Sequence, residues 1–209
     1  MTRPVRFFRD ERGASAAEFA LVLPLLLILL FGTIDVGRYA WSLSMAEKAT
    51  QTGARWAVAT NMIADSLITY SFSVSPPNLP QGTPVPQANF PNVVCSSNGS
   101  TASCTCAGTC SFSTTVGNVG NAAFTALVSR MAQIYPGLTA NQVVVTYSWS
   151  GLGFAGDPNG PDVAPLTTVS LRNVQFSPFT SFVFRSSRIN LPQFAYTLPM
   201  EDGSGTSSN

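Results

Sequence analysis

Residues 14–34 read ASAAEFALVLPLLLILLFGTI, and Glu18 is the one charged residue among these 21. From Phe19 to Ile34 the run has no charge, and its sole polar side chain is that of Thr33. As an α-helix, this segment extends over about 31 Å, which is close to the hydrocarbon thickness of a bilayer. The pattern therefore predicts a membrane-spanning helix over residues 14–34.

The flanks of this helix carry unequal charge. Residues 1–13, MTRPVRFFRDERG, hold four arginines (Arg3, Arg6, Arg9 and Arg12), whereas Asp35 and Arg38 follow the apolar run. Arginine-rich flanks stay on the cytoplasmic side of a membrane. We therefore expect residues 1–13 to be a basic leader in the cytoplasm and the C-terminal domain to lie across the membrane.

Three interpretations of the apolar segment are open. An uncleaved signal anchor needs only the basic flank and the apolar run. A cleaved secretory signal needs a small-residue site soon after the apolar core, and Ser44-Met45-Ala46, the first such site, lies a dozen residues beyond it, which disfavours this interpretation. The third is cleavage after Gly13, at the small-residue junction between the basic leader and the helix.

Glu18 bears on the third interpretation. A carboxylate at the start of a lipid-embedded helix costs on the order of a few kcal/mol or less. Its simplest explanation is a shallow position, where it interacts favourably with the positive helix N-terminus. Cleavage after Gly13 would supply another, because the Glu18 of one subunit would neutralise the new amine on the Ala14 of a neighbour, and paired charges in lipid cost less than lone ones.

The same residues carry a resemblance to a known family. The segment RGASAAEF from Arg12 to Phe19, running into ALVLPLLLILLFG, resembles the N-termini of TadE-like pseudopilins, which are minor pilin-like proteins of the bacterial tight-adherence (Flp, type IVb-like) pilus systems. It covers about residues 5–60 and includes Pro24, the stretch Asp35-Val36-Gly37-Arg38 and Gly53-Ala54-Arg55.

The resemblance implies processing and partners. A membrane-bound aspartic prepilin peptidase would cleave between Gly13 and Ala14, so that this chain is its substrate, and Glu18 matches the acidic residue five positions into the mature chain. It further implies a single-pass protein of the bacterial inner membrane with its C-terminal domain in the periplasm or in an extracellular pilus. Its partners would be other pilin and pseudopilin subunits in surface attachment.

Residues 35–66 are expected to continue the helix on the exported side, to about Ala64, because they contain no proline and show a stripe of small apolar residues. Pro24 should kink or loosen the helix, since it removes a backbone hydrogen bond. The small residues of the stripe favour close helix approach, either to neighbouring stalks or to the chain's own domain; they are Ala46, Ala49, Gly53 and Ala57.

Residues 67–118 are predicted to be a loop rich in Pro, Ser, Thr and Gly, with a cysteine cluster, CSSNGSTASCTCAGTC, at 95–110. An even number of cysteines on the exported side indicates two disulfides. Two pairings remain open, Cys95–Cys104 with Cys106–Cys110, or Cys95–Cys106 with Cys104–Cys110. A metal site is disfavoured because the C-x2-C spacing and histidine are both absent.

Residues 119–200 are predicted to form a helix, with Ala123, Leu127, Met131 and Ile134 at helical spacing, and then antiparallel strands at 141–149, 163–176, 182–189 and 194–200. Arg185 and Arg188 are expected to face solvent. An aromatic group (Phe176, Phe179, Phe182 and Phe184) would form either an adhesive surface or core, of which we favour core. The tail 201–209 is expected to be flexible. The fold class is therefore α+β, a long helix packed on a small antiparallel β domain as in pilins.

Composition excludes several functions. The 209 residues include no histidine, 10% charged residues and a net charge of +1, which disfavours His-based catalysis and nucleic-acid binding. Asp157 and Asp162 lie in a Gly/Pro-rich turn, where two carboxylates are too few to indicate a calcium site. We predict no enzyme activity, cofactor, metal or small-molecule substrate. The alternative to a minor pilin is a membrane-anchored binding module or tip adhesin without processing.

Overall fold

The structure is a computed structural model that describes residues 13–181 and 188–201. In these ranges the chain forms two α-helices, α1 (Ala14–Val58) and α2 (Asn118–Ala132), and seven strands. The strands are β1 (Val93–Ser97), β2 (Ala102–Cys106), β3 (Val143–Ser148), β4 (Leu166–Leu171), β5 (Gln175–Phe176), β6 (Ile189–Asn190) and β7 (Ala195–Pro199).

Some predictions concern residues outside the described ranges. These are the leader up to Arg12, most of the strand predicted at 182–189 with Phe182, Phe184 and Arg185, and the tail beyond Glu201. Within the described ranges, the chain divides into two compact units. One comprises the described residues of Met1–Trp41 and Phe176–Ile189, and the other those of Ser42–Gln175 and Asn190–Asn209.

Helix α1 is continuous through Pro24 and has 45 residues. It ends at Val58, short of the predicted end near Ala64, so the expected helical continuation over 35–66 is too long. After Val58, backbone groups of the chain form hydrogen bonds with distant residues of the second unit instead of continuing the helical pattern. The Val58 carbonyl accepts from the Glu201 amide at 3.0 Å, and the Ile63 amide donates to the Tyr147 hydroxyl at 2.9 Å. Burial raises the pKa of Tyr147 far above its ordinary value, so this phenol stays neutral.

Five of the described strands form an antiparallel sheet in the order β2-β1-β3-β4-β7, which confirms the predicted α+β class. Residues in β1, β3 and β4 alternate between buried and half-buried, as strands with one face on a core do. The residues of the buried face are Val93, Cys95, Ser97, Val143, Val145, Tyr147, Thr167, Val169 and Leu171.

The cysteine segment is not the loop predicted for it. Strands β1 and β2 form a hairpin in which Cys95 lies opposite Cys104, and β1 also pairs with β3. In the turn, the Asn98 side-chain oxygen accepts from the amides of Ser100 and Thr101 at 3.1 and 3.3 Å. Asn98 thus closes the turn by a local side-chain bond that Ser/Thr/Gly-rich composition conceals.

Helix α2 confirms the predicted second helix and covers part of the core through Gly120, Phe124, Leu127 and Met131. The small-residue stripe of α1 belongs to this core, since Ala46, Ala49, Gly53 and Ala57 are all buried. A Cβ placed on Gly53 would lie 2.7 Å from the Met131 sulfur. Of the two roles considered for the stripe, packing within the chain's own domain is therefore the one observed.

Candidate functional site

No described residue covers Gly13, where the described part of the chain begins. Gly13 is exposed, α1 begins at the next residue, and a Cβ built on Gly13 would meet no heavy atom of the described residues within 4 Å. Glu18 is also exposed, one turn into the helix. Within residues 13–181 and 188–201, it makes no hydrogen bond or ion pair. Among the described residues, none therefore covers Gly13 or pairs with the Glu18 carboxylate.

The first half of α1 is apolar on every side. Of its most apolar 18-residue window, 6% is buried, whereas the core helix of a soluble protein would be mostly buried. Leu21, Leu25 and Leu29 are exposed by 80, 71 and 69%. A helix that is hydrophobic all round needs an apolar surrounding. By length and composition, this helix can cross a membrane.

A buried carboxylate lies immediately after this apolar half. Asp35 Oδ1 accepts from the Phe179 amide at 2.8 Å, while Oδ2 accepts from the amide and the hydroxyl of Thr180 at 2.8 and 2.9 Å. The Arg38 guanidinium forms a salt bridge with Oδ1 at 3.1 Å. We call Asp35, Phe179 and Thr180 the aspartate clasp, because the carboxylate ties the 179–180 backbone to the helix.

Aromatic and cationic side chains surround the aspartate clasp. The Arg38 Cζ lies 4.0 Å from the Phe179 ring centroid and 5.2 Å from that of Phe176, within the range of cation–π attraction. Tyr39 meets Phe176 edge to face at 5.5 Å. Phe176 is buried, as favoured from the sequence, but Phe179 is 59% exposed. The two described members of the predicted aromatic group therefore have different environments.

Sequence reasoning did not assign the aspartate clasp a role. Asp35 entered only as a charge that follows the apolar run and as part of the stretch 35–38. The available signal was an acid directly after a long apolar run, where a buried, unpaired carboxylate would be costly and a partner is therefore expected. Its partner Thr180 lies 145 residues away, and no local pattern identifies it.

The structure adopts the first of the two open disulfide pairings. Cys95 bonds to Cys104 and Cys106 to Cys110, each at an S–S distance of 1.95 Å. The first pair is buried and bridges opposed residues of the hairpin, and the second is half-buried. In the described residues, no group of three or more His, Cys, Asp or Glu side chains is placed to hold a metal.

Two further carboxylates, those of Asp162 in the Gly/Pro-rich turn and of Asp65, stabilise the fold by accepting backbone hydrogen bonds. Asp162 is buried and accepts from the amides of Phe72, Gly156 and Asp157 at 2.6, 2.9 and 3.1 Å. Asp65 accepts from the amides of Gly117 and Gly120, at 3.0 and 3.1 Å, at the start of α2. These carboxylates satisfy backbone donors in loops and at a helix N-terminus.

Comparison with known proteins gives a match to the N-terminal part of the described chain. The model of a family described as TadE-like protein matches residues 13–55, starting at Gly13 and including Glu18 and Asp35. No curated protein and no solved structure gives a significant match to the chain. The TadE-like family is structural and associated with tight-adherence pili. Residues 13–55 are therefore similar to the TadE-like family, which confirms the resemblance predicted from the sequence.

Proposed function

We propose that this chain is a minor pilin needed to build a tight-adherence pilus for surface attachment, and that a prepilin peptidase cleaves it between Gly13 and Ala14. The observation that carries the proposal is the TadE-like match, which begins at Gly13 and runs along the exposed apolar helix. The peptidase performs the chemistry, and this chain is its substrate. The lack of any described heavy atom within 4 Å of a Cβ built on Gly13 supports access by such an enzyme.

Residues 14–34 would then anchor the protein in the inner membrane, with the leader in the cytoplasm and the five-stranded sheet in the periplasm. The arginines before the span support this orientation. The two disulfides support it independently, because disulfides persist in oxidising compartments such as the periplasm. Exit into an extracellular filament would preserve them.

Glu18 is the assembly residue of this proposal. Cleavage creates an amine on Ala14 that must enter an apolar environment when subunits pack. The exposed Glu18 of a neighbouring subunit would pair with that amine, and pairing lowers the cost of both charges in lipid. The lack of an intramolecular partner for Glu18, in the part of the chain that the structure describes, supports this role.

Intact-mass spectrometry of the non-reduced membrane form tests the processing. We expect a mature chain that starts at Ala14 and lacks four cysteine protons. Gly13→Leu should block cleavage, because it places a bulky side chain at the junction, while Ser15→Ala should be processed normally. A functional protein that starts at Met1 or Ala46 would refute processing at Gly13, and a retained leader would favour the tethered binding module or adhesin.

Piliation of a Glu18→Ala strain tests assembly separately. The variant should be processed but should assemble few or no pili, because the Ala14 amine would lack its partner. Glu47→Gln is the matched control, since it removes an exposed acid from the same helix outside the apolar half. Normal piliation of the Glu18→Ala strain would contradict the pairing mechanism.

A further inference from the structure

The first unit presents an apolar surface beside the end of the apolar helix half. Three of its side chains are exposed, namely Val36 by 70%, Phe179 by 59% and Ile189 by 45%. Two of them, Val36 and Ile189, line a pocket of about 320 Å³ together with Tyr39 and Phe176. Phe179 lies next to this pocket in the chain, between the lining residues Pro178 and Thr180. We call the surface formed by Val36, Tyr39, Phe176, Phe179 and Ile189 the apolar shoulder.

The apolar shoulder is continuous with the lipid-facing side of the proposed membrane span. Gly32 and Val36 line its pocket and also a second apolar depression, whose other walls are Ile28, Leu29 and Thr33. Those walls belong to residues 14–34. Among the described residues that line the two depressions, the one charged side chain is that of Asp35, which is buried in the aspartate clasp.

The depth of the apolar shoulder follows from helix geometry. Ala14 to Asp35 covers about 31 Å of helix, so a span that starts at Ala14 brings Asp35 to the opposite boundary of the hydrocarbon layer. Tyrosine and tryptophan are enriched at this level, and arginine extends from it toward headgroups. Tyr39, which lines the pocket, and Arg38, whose side chain is 39% exposed, have this chemistry. The apolar ring of Phe179 lies beneath the Arg38 guanidinium.

We propose that the apolar shoulder inserts into the periplasmic leaflet, at the boundary between acyl chains and headgroups. Phospholipid acyl chains occupy its pocket, and Arg38 contacts a lipid phosphate. The aspartate clasp fixes Phe179 at this depth, so the protein contacts the bilayer through a folded surface as well as a helix. This inference rests on the membrane location of residues 14–34 in the proposed function.

Site-directed spin labelling of the full chain in phosphatidylethanolamine/phosphatidylglycerol vesicles tests the insertion. All four native cysteines are in disulfides, so each introduced cysteine is a single labelling site. The test positions are Phe179→Cys and Val36→Cys. Leu25→Cys is the lipid reference, and Val74→Cys, at a residue 81% exposed in the second unit, is the aqueous reference. The measurement is the ratio of collision rates with oxygen, which partitions into lipid, and with a water-soluble nickel chelate.

The expected ratio at residues 36 and 179 is several-fold above that at residue 74 and below that at residue 25. A ratio at 179 equal to the aqueous reference, with residue 25 in lipid, would overturn the insertion and leave the membrane span intact. Low collision rates with both reagents at 179 would also overturn it, since a second copy of the chain would then cover the surface. An aqueous ratio at residue 25 would refute the membrane span itself.

Discussion

The first half of α1 and the five-stranded sheet are both rich in aliphatic residues, yet they differ in burial. Val93, Val143 and Val145 of the sheet are fully buried, whereas the leucines of residues 14–34 are exposed by 36% or more. The sheet alternates in polarity and so has one face to bury. The helix half is apolar on every side, and a stripe against its own domain would leave the rest exposed. Patterning, more than hydrophobicity, thus determines which segment folds on itself and which needs an outside apolar phase.

Glycine substitutions in two helices provide the largest expected contrast. A Cβ on Gly120 of α2 would lie 2.0 Å from the Ile63 carbonyl oxygen, while one on Gly37 of α1 would meet nothing in the described structure within 4 Å. A backbone carbonyl can move away only at a large energetic cost, so Gly120→Ala should lower the free energy of unfolding by about 3 kcal/mol or more. Gly37→Ala should be neutral or raise helix stability by up to about 1 kcal/mol.

Urea unfolding of the full chain in mild detergent, followed by tryptophan fluorescence, measures both glycine variants. Equal effects of the two substitutions would contradict the contrast. In that case α2 would pack less closely on the 62–64 segment than its hydrogen bond to Asp65 indicates.

Exposed residues usually tolerate substitution by a charged residue, but we expect the opposite in the apolar first half of α1. Leu26 is exposed, so in water Leu26→Arg would have little effect on folding. In a bilayer, an arginine at the centre of the span costs about 2.5–3.5 kcal/mol. We therefore expect Leu26→Arg to reduce membrane retention strongly in alkaline carbonate extraction. Leu26→Met is the control, and equal retention of the two variants would argue that protein, not lipid, covers this half.

Local sequence patterns were sufficient to predict the helices and β3, but not the β1–β2 hairpin or the end of α1. The apolar first half of α1, helix α2 and strand β3 follow from runs and periodicities within a few residues of one another. The β1–β2 hairpin was predicted as loop because its Ser/Thr/Gly content is that of a loop, and its strand character comes from pairing of β1 with β3, some fifty residues on in the chain. Likewise, α1 ends at Val58, and the chain that follows is held by a distant residue, since the Ile63 amide donates to the hydroxyl of Tyr147, 84 residues away.

The candidate site divides in the same way. Gly13, Ala14 and Glu18 are recognisable because they are adjacent in the chain and have a distinctive spacing. The aspartate clasp is not recognisable, since its donors lie more than 140 residues from Asp35. The cysteines are intermediate, because their number indicates two bonds but only the hairpin register, with Cys95 opposite Cys104, selects the pairing.

The two disulfides of the second unit also differ in burial, and we expect them to contribute unequally to stability. Replacing Cys95 and Cys104 together by alanine should cost about 2.5 kcal/mol from the chain entropy of a nine-residue separation, and the loss of buried sulfur should add to this cost. The matched pair Cys106 and Cys110 closes a separation of four residues and is half-buried, so its loss should cost about 2 kcal/mol or less. Urea unfolding of both double variants under non-reducing conditions gives the order. A larger loss for the second pair would contradict the burial argument.

The smallest effect is expected at the aspartate clasp, where a change is local. Asp35→Ala removes the acceptor of the Phe179 and Thr180 amides, while the sheet of the second unit keeps all its own bonds. Hydrogen exchange at those two amides should accelerate about tenfold or more, because a hydrogen bond to a charged group contributes about 1.5–3 kcal/mol, and the urea midpoint should change little.

Asp35→Asn should give an intermediate rate, since its amide keeps one acceptor oxygen, and Glu47→Gln should leave both amides unchanged. Equal exchange in the wild type and the Asp35→Ala variant would mean that the loop is held by other contacts, and Phe179 would then keep its depth without the carboxylate.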